Sequence, residues 1–212
     1  MSQFLDNFQQ DPDCSRSFDW RTHKPVFPQA AVMYVPPYRN EPADDAEEFE
    51  VTAICQSGQK ISALQENAWN FIRDKFAEVE ASLRRKLFVN HMKGYRGFVD
   101  ECVPDLSEFD LEEWDEIKDA IPWDTPAAVD AMFELISIGL LDQGLDDCGF
   151  SYFNFNSGWD EEHGISVLMH RNHVLAAGGI SEFSNLGDEV IPHIKSIQRY
   201  DLDDGDLSLL ED

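Results

Sequence analysis

The hydrophobic period changes once along this chain, and that change constrains the fold more than any other feature. Between Ser62 and His91, Leu64, Ala68, Ile72, Phe76, Val79, Leu83 and Leu87 recur every three or four residues. That spacing places one apolar stripe along a single long helix. Ser62 stands as N-cap, with Gln65 three residues on as its capping-box partner. Trp69 flanks the stripe, and Gly94 and Gly97 end the pattern. From Phe150 onward the period drops to two. Phe150 to Asn156, Ile165 to His170 and Val174 to Gly178 read as three strands of a meander. A domain with one long helix and a run of adjacent strands is α+β: an antiparallel sheet, ending in this meander, packed against the helix.

The remaining elements are shorter. Ala30 to Val35 reads as a strand stopped by Pro36-Pro37, Phe49 to Ile54 as a second, and Glu134 to Leu141 as a third, with a continued helix as its alternative. Leu111 to Lys118 reads as a short helix, and Thr125-Pro126 as a helix start leading through Ala127 to Met132. The expected organisation is a polar arm over residues 1–29, one α+β domain over 30–200, and a solvated acidic tail over 201–212. In the last hairpin Arg171-Asn172 is the two-residue connection. A primed turn there requires positive φ, which Asn tolerates and Arg resists. The turn pairs His170 with His173, Leu168 with Leu175 and Val167 with Ala176. One face then carries Ile165, Val167, Met169 and Val174 toward the helix. The other carries Ser166, Leu168, His170 and His173 and is expected to be the more exposed.

Charge limits the partners. The 212 residues carry 42 acids against 16 bases, a net charge of −26. Residues 1–99 hold 14 acids and 12 bases, a difference of −2, and residues 100–212 hold 28 acids and 4 bases, a difference of −24. Phosphate contacts need cations, so direct binding of duplex nucleic acid by the second half is disfavoured. A basic protein or a divalent cation is attracted instead, although the same charge also serves solubility without any partner. The basic cluster on the long helix (Arg73, Lys75, Arg84, Arg85, Lys86, with Lys93 and Arg96) has a phosphate-binding face as its functional reading, but Asp74, Glu78 and Glu80 dilute it, and internal pairing with the acidic half is the expectation. No apolar run is long enough to cross a bilayer, and the N-terminus lacks the pattern of a secretory signal. Cys14, Cys55, Cys102 and Cys148 are scattered, without a C-x-x-C pair, so neither a zinc knuckle nor a disulfide framework is indicated. Reduced thiols and a cytoplasmic location are the expectation.

Chemistry-bearing residues concentrate at Trp159-Asp160-Glu161-Glu162-His163-Gly164, between two of the strands. Asp160, Glu162 and His163 are ligand types that hold a divalent metal with open positions. The structural reading of the same six residues is a loop in which Trp159 buries its ring, Asp160 caps the turn, a carboxylate accepts from His163 and Gly164 permits a bend. Trp159, Asp160, Glu162, His163 and Gly164, followed by Ile165 to Met169 and then Gly178-Gly179, resemble the W-D-x-E-H-G pattern of an uncharacterised family of bacterial cytosolic proteins. The resemblance covers residues 60–182. It implies no settled activity, and some members look like immunity-type proteins of bacterial conflict systems. Two functions stay open. One is a non-enzymatic acidic binding module, of inhibitor or immunity type, acting on a basic protein. The alternative is a metal-dependent hydrolase centred on Asp160, Glu162 and His163, with a divalent metal as cofactor.

Overall fold

The computed structural model describes residues 4–23, 48–55, 60–96, 129, 132–157, 164–180 and 191. The expected strand at 30–35, the helix at 111–118, most of the 127–132 turn, residues 159–163 and the tail 201–212 lie outside these. The described elements are a 3-10 turn at Leu5–Asn7, strands β1 (Gln9–Gln10), β2 (Ser17–His23) and β3 (Glu48–Ile54), helices α1 (Ala63–Asp74) and α2 (Phe76–Asn90), a π-helical turn at His91–Arg96, and strands β4 (Phe133–Leu145), β5 (Cys148–Ser157), β6 (Ile165–His170) and β7 (His173–Gly178). The strands form one seven-stranded sheet in sequence order, so the fold is mixed α+β.

Three features depart from the sequence expectation. The segment expected as a polar arm supplies β1 and β2 to the sheet. It is held there by aromatic rings: Phe4 stacks on Trp69 at 6.3 Å, and Trp20 meets Trp69 edge-on at 5.1 Å. Such contacts add about 0.5–1.5 kcal/mol beyond the buried area. Second, the sheet is not wholly antiparallel, because β3 and β4 pair in parallel. A parallel pair needs a long crossover, and the chain between Ile54 and Phe133, which includes α1 and α2, provides it. Third, the helix is two helices. Lys75 leaves the helical region (φ −125, ψ 25) and its carbonyl accepts from Glu78 N and Val79 N to start α2. Leu64, Ala68, Ile72 and Phe76 are spaced by four, and each such step rotates the stripe by about 40° at 3.6 residues per turn. The break restores Phe76, Val79, Leu83 and Leu87 to the core side, where all four are buried.

The main core lies between the helices and one sheet face. Ala68, Trp69, Ile72, Phe76, Val79, Leu83 and Leu87 meet Val51, Ile138, Leu140, Phe153, Phe155, Val167 and Met169. Alternation sends the intervening residues to the other face. One end of that face is also dry: Leu141, Phe150, Leu168 and Leu175 pack with Ile191. Every residue of β6 is therefore buried, including Ser166, Leu168 and His170, for which the sequence predicts an exposed face. The last hairpin pairs His170 with His173 and Met169 with Val174 as expected, but a bulge then shifts Leu168 onto Ala176 and Val167 onto Ala177. The extra residue lets both Leu175 and Ala176 join the second cluster, while Val174 and Ala177 face the helices.

The helix start is as the sequence reads it. Ser62 Oγ accepts from Gln65 N, and Gln65 Oε1 accepts from Ser62 N at 2.8 Å. Gln65 is also fully buried, and its amide donates to Ile54 O (3.1 Å) and Leu140 O (3.0 Å). The β4–β5 register shifts between Leu140 and Gly144, so Gln65 supplies a bond to a carbonyl at the edge of an interrupted ladder. Gly149 lies under α1, where an added Cβ would meet Leu141 O at 2.6 Å and Leu64 O at 3.0 Å. Only glycine allows the helix to approach that closely.

Candidate functional site

β5 ends at Ser157 and β6 begins at Ile165. The expected site residues Trp159, Asp160, Glu161, Glu162 and His163 fall between these strands, outside the described residues. Gly164 is described. It has φ +56, a conformation that favours glycine, and a Cβ there would meet Phe155 O at 2.5 Å.

The described polar groups gather in two places. The first is the sheet face opposite the helices, at the end from which the 158–163 connection departs. Asn154 lies between Phe153 and Phe155 and so points away from the main core. Its amide donates to Ser137 Oγ at 2.9 Å, and its carbonyl accepts from Ser166 Oγ at 2.6 Å. Asn156 Nδ2 donates to Glu134 Oε2 at 3.1 Å, and Glu134 is buried. Three strands are thereby cross-linked through side chains, and sequence alternation alone (Tyr152-Phe153-Asn154-Phe155-Asn156) is the signal that marks this row. Beside it, the Tyr152 ring covers Gly139 on the neighbouring strand, so closely that an added Cβ would run into the ring. Burial pushes the Tyr152 phenol up to about 12, and the carboxylates of Glu50 and Asp19 add to the rise. Glu50 also holds Arg21 at 3.6 Å.

The second place is the opposite end of the same strands, where two tight turns meet. Asp146 (φ 46) and Asp147 (φ 60) join β4 to β5 with both central residues left-handed, the primed geometry that matches strand twist and that Asp tolerates. Arg171 (φ 57) joins β6 to β7, adopting the conformation its side chain resists. Its guanidinium donates to Asp146 O at 2.8 Å, which helps offset the strain. Asn67 of α1 donates to Asp147 O at 2.7 Å. Between the turns, His170 is buried, with Nε2 3.0 Å from Leu145 O and its ring edge-on to Phe150 at 5.5 Å. A carbonyl only accepts, so Nε2 carries the proton. Burial pushes His170 below the ordinary histidine range, and Arg171 adds to the drop against the carbonyls of Leu145 and Cys148 and the Asp146 carboxylate. Burial also raises the Cys148 thiol, opposed by Arg171, and the Cys55 thiol, opposed by Gln65.

These groups hydrogen-bond and orient; among the described residues no three His, Cys, Asp or Glu side chains converge to hold a metal ion. Three of the described helix bases have partners close by in sequence, Arg73 with Asp74, Lys75 with Glu78 and Arg84 with Glu80. No described helix is long and apolar enough to cross a membrane.

The fold is thus a mixed α+β domain whose sheet carries a polar row on one face and two clamped turns at its far end. The chain belongs to a family described as a domain of unknown function (DUF6985), whose model matches residues 17–184. The match begins at the first residue of β2 and passes the end of β7, so it takes in β2 and β3 as well as the segment from residue 60 onward. No curated protein and no solved structure matches the chain.

Proposed function

We propose that this protein is a non-enzymatic acidic binding module that engages a basic protein partner. The observation that carries the reading is the difference of −24 over residues 100–212, against −2 over residues 1–99. A field of that size steers cationic surfaces and is screened over about 8 Å at physiological ionic strength. Within residues 1–99, Arg73, Lys75 and Arg84 each have a carboxylate one to four residues away. An inhibitor or immunity-type role in a bacterial cytoplasm is the finer form of this reading, supported by the resemblance around Trp159 to Gly164.

The test is a pull-down with immobilised full-length protein at about 50 mM and 500 mM salt. The expected result is a basic protein retained at low salt and released at high salt. Duplex DNA bound at physiological salt without added metal would count against the proposal. So would calorimetry showing one tightly bound Zn²⁺, Mn²⁺ or Mg²⁺ that is lost in each of Asp160→Asn, Glu162→Gln and His163→Ala, since that is the signature of the hydrolase alternative.

A further inference from the structure

We propose that His170 is a pH-sensitive latch between the β4–β5 and β6–β7 turns: neutral, it holds them together; protonated, it lets this corner of the sheet open. The inference goes beyond the binding reading and does not depend on it.

The geometry is a closed set of contacts around one ring. His170 ends β6, is 1% exposed, and donates from Nε2 across to Leu145 O, the last residue of β4. The next residue, Arg171, donates to Asp146 O, so two successive side chains of one hairpin grip two successive carbonyls of the other. Edge-on to the ring is Phe150, which belongs to the second apolar cluster with Leu141, Leu168 and Leu175. The corner is strained as well as clamped, since Arg171 has positive φ (57), which its side chain resists. Such a residue persists only while its surroundings hold it.

The charged and titratable groups around the ring decide how it responds to acid. On its own hairpin stand the Arg171 guanidinium and the exposed His173, its cross-strand partner. From the β4–β5 hairpin come Asp146, Asp147 and the Cys148 thiol. From α1 comes the neutral Asn67 amide, on Asp147 O. A second proton on His170 would place an imidazolium in an apolar pocket beside a guanidinium. The Asp146 carboxylate and the Cys148 carbonyl oppose that repulsion, but burial outweighs them. Opening the corner returns the ring to water, where the charged form is solvated.

The sign follows from linkage. His170 binds its second proton less readily closed than open, so the closed corner is unaffected above the ordinary histidine pKa and loses stability as pH falls through it. With an open-state pKa of about 6.5, lowering the pH from 7.5 to 5.5 favours the open corner by up to about tenfold. Asp146 and Asp147 are retained in His170→Gln, so that variant separates carboxylate protonation from that of the ring.

The experiment is amide hydrogen exchange on the full chain at pH 7.5 and 5.5, expressed as protection factors so that intrinsic exchange is divided out. Protection over residues 145–150 and 168–175 is expected to fall several-fold, up to about tenfold, on acidification, while the α2 core changes less. In His170→Gln, whose amide can still donate to Leu145 O but does not titrate, that local fall should vanish. A histidine titration by NMR on the wild-type protein tests the same point without a variant. His170 should titrate below the free-histidine value, and Arg171→Gly should move it upward. A His170 that titrates at or above about 6.5, the free-histidine value, or equal loss of protection in wild type and His170→Gln, overturns the proposal.

Discussion

Gln65→Met should destabilise the protein by about 4 kcal/mol, as much as a large apolar truncation in its core. Methionine fills nearly the same volume, so the cost is polar and not steric. In the native structure the Gln65 side chain makes three bonds to backbone groups, from Ser62 N, to Ile54 O and to Leu140 O, beside a weaker contact with Cys55 Sγ. Leu140 O is buried, and orphaning it costs about 1–3 kcal/mol. The Ile54 and Ser62 groups are partly accessible to water, so each loses about 0.5–1.5 kcal/mol, and together the three come to about 2–6 kcal/mol. With a urea slope of about 2–3 kcal/mol/M for a chain of this size, the unfolding midpoint should fall by about 1–2 M. Tryptophan fluorescence is the assay, since Trp69 lies one turn along α1. Gln65→Glu sharpens the test. Its carboxylate still accepts from Ser62 N but faces two carbonyl oxygens, so it should cost at least as much at pH 7. Part of that loss should return at pH 4, where the introduced carboxyl, once protonated, can donate again. A midpoint shift under about 0.2 M for Gln65→Met would refute the argument that this residue ties β3, β4 and α1 together.

Three further outcomes are expected. Leu83→Ala, at a fully buried position of α2, should cost about 2–5 kcal/mol in the same assay, and a loss under about 0.5 kcal/mol would place the stripe at the surface. Gly139→Ala drives a methyl group into the Tyr152 ring, so it should cost about 1–3 kcal/mol, and Gly139→Ala combined with Tyr152→Leu should cost less than the two single changes summed. Tyr152 ionises near 12 folded against about 10 unfolded, so its contribution is intact below pH 10 and lost as pH rises toward 12. Denaturant midpoints of wild type should therefore fall between pH 10 and 12 by more than those of Tyr152→Phe, the difference amounting to at most about 2.7 kcal/mol.

Local pattern was enough wherever an element declares itself through its own period or cap. Ser62 and Gln65 announce the start of α1, and alternation marks β3 through β7 within a few residues. The pairing of His170 with His173 follows from a two-residue connection. The same sequence places its candidate chemistry at Trp159 to His163 and leads one to expect His170 exposed. It did not mark Asp146-Asp147 as the primed turn they form, although two residues tolerant of positive φ between apolar runs carry that signal. The polar row of Ser137, Asn154 and Ser166 was likewise visible as alternation, but not that the three would bond to each other across strands.

Other features depended on contacts distant in sequence. Whether residues 9–23 hang free or add two strands turns on Trp69 offering a surface to Phe4 and Trp20. Whether β4 runs parallel to β3 turns on how the helical crossover returns the chain. The break at Lys75 answers the drift of a four-residue spacing against a fixed sheet, and no glycine or proline announces it. His170 is buried beside Phe150, whose cluster with Leu141, Leu175 and Ile191 covers a face that alternation describes only as opposite to the helices. A period of two or 3.6 tells which residues share a side, since that is fixed by the geometry of one segment. Which side meets water is fixed by what another segment lays against it, and only the assembled sheet decides that.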